Sequence, residues 1–290
     1  MMLGYKYRSI NSYSLDILKN NSIYFSKYTS FNDPFEFSTP FPDLGAMYKR
    51  AIAELTYLHE NKIFDKPTYN HLIKTCKQIS ENGSSTLDET HKSIKKKLEN
   101  IGIFSLSKVR DEILMWSHYA DNHKGFCIEF ENLHNNTNPR TKALPVNYIK
   151  NFTDLSDPTI VVNFYREMFH ESIGLSKRKW QKKAAQLKRK LTHYDDQRGG
   201  ISILTDKYEK WEYEQEFRLI DEKSSGLKNF NPKCIKSIIF GARTSRDDIE
   251  NIMDTCKNHD KKHVEYFKAE QSKTAFALKI KKLTPCNLSS

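Results

Sequence analysis

The sequence lacks closely spaced cysteines. Its five cysteines, an odd number, are scattered along 290 residues without a Cys-x-x-Cys pair. Disulfide frameworks and cysteine zinc sites need thiols at defined spacings, so the pattern indicates neither. Free thiols are typical of a reducing compartment, and we expect a cytoplasmic protein. The N-terminal segment MMLGYKYRSINSYS has no apolar core of a signal peptide, and no apolar run reaches the roughly 18 residues of a membrane helix.

Glycine is scarce as well, with 10 in the chain. No Gly-rich phosphate loop is present, so dinucleotide binding through a Rossmann turn is not expected. The motifs Gly-x-Ser-x-Gly and His-Glu-x-x-His are also missing, which removes two common hydrolase signatures. His118 and His123 are five residues apart and would lie on different faces of a helix, so we expect no metal.

Positive charge is what the chain has in excess. The net charge is +11, the isoelectric point is about 9.2 and the mean hydropathy is −0.71, although 38% of the residues are hydrophobic. Such an excess predicts either a solvated basic surface or a surface for phosphate. It is concentrated in SKRKWQKKAAQLKRKL, where a helix would either pack through a stripe containing Trp180 or follow a nucleic-acid backbone. The candidate DNA- or RNA-binding residues are Lys182, Lys183, Lys188 and Arg189.

Apolar patterning predicts an α+β fold, with strands in sequential groups and helices inserted between them. We expect one domain over residues 1–290, with a mixed or split β-sheet core and helical insertions at about 44–100 and about 159–196. Within the first insertion, Pro67 and the segment ENGSS at 81–85 predict two breaks.

The segment YTSFNDPFEF places polar groups inside an aromatic loop. Asn and Asp side chains before a proline commonly hydrogen-bond to the backbone, so Asn32 and Asp33 are predicted to fix this loop. Phe31 and Phe35 are predicted to be largely buried. A loop held rigid in this way would suit the border of a binding site.

The segment WEYEQEFR has glutamates at period two. On a strand, Glu212, Glu214 and Glu216 would project from one face, with Arg218 beside them. Like charges in such a ladder repel one another unless they meet water or cations. Two interpretations stay open, an outward-facing ladder or a cleft-facing pair of Glu214 and Glu216. The pair would bind ribose hydroxyls and stabilise an oxocarbenium ion.

Two further segments carry candidate site residues. In FSLS, Ser105 and Ser107 are two apart and would point the same way from a strand. In MWSHYA, Trp116 and Tyr119 would share a helix face, either as an aromatic core anchor or as part of a site.

Several of these motifs together resemble a known family. The segments SIYFSKYTSFNDPFEF, FSLSKVRDEILMWSHYADNHKGFCIEFE, KWEYEQEFRLI and IKSIIFGAR resemble the bacterial family catalogued as domain-of-unknown-function family 2971. That label implies no activity. More distantly, the motif order resembles ADP-ribosyltransferase-like proteins, whose split β-fold holds NAD in a cleft without a metal. Those proteins carry Arg or His on the first strand, Ser or Tyr on the second and Glu on a later strand.

The resemblance to ADP-ribosyltransferase-like proteins implies which residues would form an NAD site. The positions that fill the three slots are, in order, Arg8 or Tyr7, then Ser105 or Ser107 with Tyr119 nearby, and then Glu216 with Glu214 before it. Glu216 would stabilise positive charge on the nicotinamide ribose, and Arg8 would bind the phosphate or ribose side of NAD. Asn32 and Asp33 would border the cleft. The chain departs from the pattern in having no His on its first strand and three glutamates for the last slot.

These observations lead to three hypotheses about function. The first is an NAD-using, ADP-ribosyltransferase-like bacterial enzyme that modifies a macromolecule, with nucleic acid as one candidate, in phage defence or toxin-type conflict. The second is a nuclease that holds Mg²⁺ with Asp221 and Glu222 beside Lys223, completed by Asp33 or Glu36. The third is a nucleic-acid-binding module without chemistry.

Overall fold

The structure is a computed structural model that describes residues 2–40, 43–62, 65–154 and 201–283. The basic helix predicted at about 159–196, with the four candidate nucleic-acid-binding residues, lies outside these ranges. Among the described residues, no helix combines the length and the apolar character needed to cross a membrane.

The helices and strands follow the α+β pattern predicted from the sequence. In the described residues the α-helices are α1 (Ser12–Asn20), α2 (Leu44–Glu60), α3 (Lys66–Asn100), α4 (Ile113–Tyr119), α5 (Leu133–Asn136), α6 (Ile201–Thr205) and α7 (Arg246–Asn258). The strands are β1 (Leu3–Arg8), β2 (Ser22–Phe25), β3 (Gly102–Ser107), β4 (Phe126–Glu131), β5 (Thr137–Asn138), β6 (Lys142–Pro145), β7 (Asn147–Ile149), β8 (Asp206–Tyr208), β9 (Glu216–Asp221), β10 (Gly226–Phe230), β11 (Ile235–Phe240), β12 (Glu265–Gln271) and β13 (Leu278–Lys282).

The main sheet has eight strands in the order β13-β12-β11-β4-β1-β3-β9-β6. The pair β11 and β12 is parallel and the other neighbours are antiparallel, so the prediction of an α+β fold with a mixed sheet is confirmed. Strand β1 pairs with β4 over its whole length, and β3 does the same with β9. Between them, β1 and β3 are joined in register at Tyr5 and Ser107. The sheet is therefore two well-paired blocks that meet at a narrow join.

The two faces of this sheet are covered differently. One face buries a core of aromatic and branched side chains against α1, α7 and the small sheet β2-β10-β5. The other face packs against α4 through Met115 and Trp116, together with Tyr5 and Tyr7 of β1. Trp116 is completely buried, as expected of an aromatic core anchor.

The chain divides into two compact units, which we describe separately. Residues 1–33, 99–150 and 207–290 make up the unit with the large sheet, and residues 34–98 with 151–206 make up the other. The single domain expected from the sequence stays a prediction. In the second unit, α2 and α3 bury a small core that includes Leu55 and Cys76.

One of the two predicted helix breaks is confirmed and the other is wrong. A break precedes Pro67, which lies in the first turn of α3, where proline is tolerated. The segment at 81–85 was predicted as a linker, but α3 continues through it. It contains one glycine and no proline, and a single glycine costs a helix only about 1 kcal/mol.

Candidate functional site

The segment predicted as a ladder of glutamates folds as a turn followed by a strand. Residues Glu209–Glu214 form a 3₁₀ helix, and β9 begins at Glu216. Between them Gln215 takes the left-handed conformation, with φ 43° and ψ 49°. The ladder prediction is wrong because this residue breaks the period-two alternation. Glu214 and Glu216 both turn inward and are buried, whereas Glu212 is exposed.

The two inward glutamates converge on one lysine. The Lys207 ammonium donates to Glu214 Oε2 at 2.5 Å and to Glu216 Oε2 at 3.0 Å. Arg218, two residues along β9 and on the same face, donates from Nε to Glu216 Oε1 at 2.8 Å. All four side chains are buried, with Arg218 fully excluded from solvent. We call these four residues the buried ion cluster. Its two cations and two anions balance, as buried charges require.

The ion pairs decide the protonation state of Glu216. Burial alone would raise the pKa of its carboxyl, but Arg218 and Lys207 outweigh that effect and lower the pKa to about 2. Glu216 is therefore an ionised carboxylate at neutral pH. Both of its oxygens accept hydrogen bonds from the cations, so its rotamer is fixed.

Two tyrosines complete the immediate surroundings of the cluster. The Tyr119 hydroxyl donates to Glu214 Oε1 at 2.7 Å, and burial followed by the Glu214 charge raises the pKa of Tyr119. The Tyr148 hydroxyl accepts the backbone N–H of Glu216 at 2.7 Å. Burial is the main reason that the pKa of Tyr148 rises to about 12. Both hydroxyls therefore keep their protons near pH 7.

The two serines of β3 lie beside the cluster in different ways. Ser107 donates from its hydroxyl to the Glu214 carbonyl at 2.7 Å and accepts the Val109 N–H at 3.0 Å. It thereby ties the end of β3 to the 3₁₀ helix. Ser105 lies in register with Arg218 on the neighbouring strand, and its buried hydroxyl has no hydrogen-bond partner among the described residues.

The residues of β1 lie where β1 and β3 meet. Lys6 donates from Nζ to the Ser105 carbonyl at 2.7 Å. Burial and the neighbouring Arg8 lower the pKa of Lys6 to about 7. Burial also lowers the pKa of Arg8, whose Nε has no hydrogen-bond partner among the described residues. Tyr7 donates to the Val109 carbonyl at 2.8 Å and packs edge-on against Trp116, so its ring belongs to the core.

The aromatic loop meets the cluster through one of its phenylalanines. The guanidinium of Arg218 lies 5.4 Å from the centroid of the Phe31 ring, a cation–π arrangement. Asn32 is exposed and Asp33 is half-buried. The burial predicted for Phe35 is wrong, because the side chain is 68% exposed. It stands in a tight turn in which the Ser38 N–H bonds to the Phe35 carbonyl at 3.3 Å.

An open pocket of about 540 Å³ adjoins the buried ion cluster. Its lining residues are Lys108, Val146, Tyr148, Glu212, Tyr213, Gln215 and Glu216. Glu216 and Tyr148 thus belong both to the wall of the pocket and to the hydrogen-bonded network behind it. Tyr213 extends the aromatic wall, since its ring centroid lies 6.1 Å from that of Trp211 and 6.5 Å from that of His118. The pocket wall therefore has aromatic surface, and the ion-paired Glu216 is one of its residues.

The acids of the nuclease hypothesis lie at the other end of β9. Asp221 forms an ion pair with Lys228 at 2.6 Å and accepts the Lys223 N–H at 2.8 Å. Glu222 forms an exposed ion pair with Lys142 at 2.6 Å. Within the ranges that the structure describes, no group of His, Cys, Asp and Glu side chains is arranged to hold a metal ion.

Sequence reasoning missed Lys207, Lys6 and Tyr148. Lys207 lies nine residues before Glu216 and close to a second lysine, Lys210, so nothing local distinguished it. Tyr148 comes from a separate strand, and no spacing linked it to Glu216. Lys6 did leave a signal, because a lysine in a strand between two tyrosines is unusual in a sheet interior.

Comparison with known proteins supports part of the resemblance seen in the sequence. Residues 115–219 match the model of a family described as a protein of unknown function, DUF2971. The matched stretch, which is shorter than half of the chain, includes Trp116, Tyr119 and Glu214 to Arg218, whereas the aromatic loop lies outside it. No curated protein and no solved structure matches the chain.

Proposed function

We propose that this protein is an NAD-consuming enzyme of the ADP-ribosyltransferase type. The observation that carries the proposal is the position of Glu216, a buried, ionised and rigid carboxylate in the wall of a pocket. Breaking the bond between nicotinamide and ribose leaves positive charge on the anomeric carbon. A carboxylate held beside that carbon stabilises the charge as it develops.

The ion pairs of Glu216 make it suited to this role. A fixed group does not have to reorganise when charge develops, and removing one such group commonly costs about 100- to 1000-fold in rate. Lys207 and Arg218 hold the carboxylate in place, and Tyr148 fixes the backbone N–H at the same residue. Glu214 is held in the same way by Lys207 and Tyr119, which makes it the second acid of the proposed site.

The other proposed contacts follow from the same arrangement. Tyr213 and Tyr148 provide aromatic surface for the planar nicotinamide ring. The buried Nε of Arg8 has no hydrogen-bond partner among the described residues, which suits a phosphate of NAD, and Arg8 lies outside the residues that line the pocket. The narrow join between β1 and β3 agrees with the split sheet of the proposed class. We further propose that the acceptor of the ADP-ribosyl group is a macromolecule, with nucleic acid as the first candidate, in phage defence or toxin-type conflict.

The test measures nicotinamide release from NAD by the full-length protein in the presence of EDTA. Glu216→Gln keeps the side-chain shape and removes the charge, so release should fall at least about 100-fold. Glu212→Gln is the matched control, since Glu212 lines the same pocket but is exposed. Its rate should stay within a few-fold of the wild-type rate.

The fold of the Gln variant has to be checked, because the change leaves two buried cations with one carboxylate. Circular dichroism and a thermal scan would establish that the variant is folded at the assay temperature. A folded Glu216→Gln variant with a near wild-type rate contradicts the proposal. Cleavage of DNA or RNA that requires Mg²⁺ or Mn²⁺, with no loss of NAD, would favour the nuclease instead.

A further inference from the structure

The hairpin of β12 and β13 lies at the edge of the main sheet and carries a fully exposed aromatic ring. Phe276, in the turn between the strands, has a relative exposure of 104%. The turn is closed by a hydrogen bond from the Ser272 N–H to the Ala277 carbonyl at 2.9 Å. Its neighbours Thr274, Ala275 and Ala277 are small and exposed, and Lys273 in the same turn is exposed as well. The ring therefore stands on a defined turn, and no described residue covers it.

The same hairpin has an excess of positive charge. Both of its glutamates are neutralised, Glu270 by Lys281 at 2.6 Å and Glu265 by Lys282 at 2.5 Å. Further cations remain along the hairpin. The lysines without an ion pair among the described residues are Lys268, Lys273 and Lys279.

The register of the two strands places these charges on one face. Lys268 lies directly opposite Lys281, and Glu270 lies opposite Lys279, so all four side chains project from the same side. Two like charges in register destabilise a strand pair by up to about 1 kcal/mol. Lysines on an edge strand can prevent edge-to-edge association. That purpose explains neither Lys268, which lies on the inner strand, nor the exposed ring of Phe276.

We propose that the β12–β13 hairpin is a docking surface for single-stranded nucleic acid. Lys268 and Lys279 would contact phosphates directly, Lys281 would do so in exchange for its exposed ion pair with Glu270, and Phe276 would stack on an unpaired base. Cations along a groove or strand combined with exposed aromatic rings are the usual means of binding single strands without sequence preference. A duplex keeps its base faces stacked and hidden, so it offers the ring nothing to stack on. The proposal does not depend on the NAD reaction.

The placement of the charges favours an elongated polyanion over a membrane surface. Lys281 is five residues beyond Phe276, which is about 17 Å along an extended strand. Lys279 and Lys281 are about 7 Å apart along that strand. Lys279 and Lys281 would lie far from a lipid surface that received the ring, whereas a chain of phosphates could reach them as well as Lys273 in the turn. The small neighbours of Phe276 add little apolar area for insertion.

The test measures binding of the full-length protein to labelled single-stranded DNA and RNA by fluorescence anisotropy, over a series of salt concentrations. Phe276→Ala should weaken binding about 5- to 100-fold, the range for loss of one stacked base. Changing Lys268, Lys279 and Lys281 to Gln should reduce the slope of log affinity against log salt by about 0.7 for each lost phosphate contact. Both changes affect exposed or partly exposed side chains, so the fold should persist, and a thermal scan checks this.

Matched controls distinguish an effect of the hairpin from the general effect of removing an exposed aromatic ring or positive charge. Tyr13→Ala removes another aromatic side chain that is 84% exposed. A triple change of Lys19, Lys233 and Lys257 to Gln removes the same charge from exposed positions elsewhere. All variants are also made in a chain whose Lys182, Lys183, Lys188 and Arg189 are changed to Gln, so that binding through that segment cannot hide the effect.

The outcomes either support the proposal or overturn it. Loss of affinity with Phe276→Ala and a flatter salt slope with the hairpin triple, but with neither control, supports it. Unchanged affinity of Phe276→Ala in both backgrounds overturns it, and so does an equal change in slope with the control triple. Tighter binding to the matching duplex than to the single strand would remove the stacking role. Binding to vesicles of anionic phospholipid is measured as well. If the Phe276→Ala and hairpin triple variants lose affinity for the vesicles and keep it for single-stranded nucleic acid, the hairpin is a membrane-binding surface and the proposal is wrong.

Discussion

The two ends of β9 bury ion pairs that are built in different ways. At one end Asp221 forms an ion pair with Lys228 and accepts a hydrogen bond from the Lys223 N–H. Both partners come from the next seven residues of the chain. At the other end the Glu216 carboxylate forms ion pairs with Lys207 and Arg218, and its backbone N–H donates to the Tyr148 hydroxyl. The Asp221 end closes a local turn. The Glu216 end draws partners from separate segments and forms part of a pocket wall.

This difference shows why a buried charge is weak evidence of a site. Both carboxyl groups have a lowered pKa, because the effect of burial is outweighed by Arg218 and Lys207 at Glu216 and by Lys228 with backbone N–H groups at Asp221. What distinguishes Glu216 is the space beside it and a second acid, Glu214, on the same lysine. The charges balance at both ends, so the pocket beside Glu216, and not the number of ion pairs, is what points to a site.

The largest effects should come from removing the two lysines. Lys207→Met and Lys228→Met each leave buried carboxylate charge without its partner, which typically costs about 3–5 kcal/mol in the free energy of unfolding. Urea denaturation would measure that loss. Nicotinamide release, assayed where both variants are still folded, should fall with Lys207→Met and stay near the wild-type rate with Lys228→Met.

The conservative variants serve as controls for that comparison. Lys207→Arg and Lys228→Arg keep the charge and should recover much of the lost stability. If Lys228→Met lowers the activity of folded protein as strongly as Lys207→Met does, the two ends of β9 are not functionally different and the comparison fails.

The pH dependence of stability should separate Glu216 from its exposed neighbour. The folded pKa of Glu216 is about 2, below the ordinary value of 4.5. A group with a depressed folded pKa adds stability that is fully present above its unfolded pKa and is lost as the pH falls through the folded value. The stability advantage of wild type over Glu216→Gln should therefore decrease between about pH 4.5 and pH 2.

Unfolding free energies of the wild type and both Gln variants, measured from pH 6 downward, would check this. The difference between wild type and Glu212→Gln should stay nearly constant, since Glu212 is exposed. A constant difference for Glu216→Gln as well would mean that the carboxyl is not held ionised by Lys207 and Arg218.

The sequence predicts a region well where its contacts lie between residues close together in the chain, and poorly where they join distant segments. The segment SRDDIENIMDTCKNH has the pattern of a helix with Ser245 as its cap, and in α7 the Ser245 hydroxyl accepts the Asp248 N–H. The strand position of Glu216 beside Arg218 was predicted from alternation. The inward position of Glu214 was only one of two open interpretations, because it depends on a left-handed Gln215, and glutamine carries no preference for that conformation. The role of Lys207 could not be predicted for the same reason, because the turn at Gln215 is what brings Glu214 and Glu216 to it.

The smallest expected effect concerns the aromatic loop at the Glu216 end. Phe31 lies over the guanidinium of Arg218, and the face of its ring carries partial negative charge that attracts the cation. Phe31→Leu keeps most of the apolar volume and removes the ring, so it should cost about 1 kcal/mol and lower the melting temperature by about 2–4 °C. Phe35→Leu is the matched control in the same loop, because that side chain is 68% exposed and its loss should stay within about 0.5 kcal/mol. Since Arg218 holds Glu216, Phe31→Leu should also lower nicotinamide release slightly, by less than tenfold, while Phe35→Leu leaves it unchanged. Equal melting temperatures for the two variants would show that the ring contributes only apolar volume, and the loop would then have no part in holding the cluster.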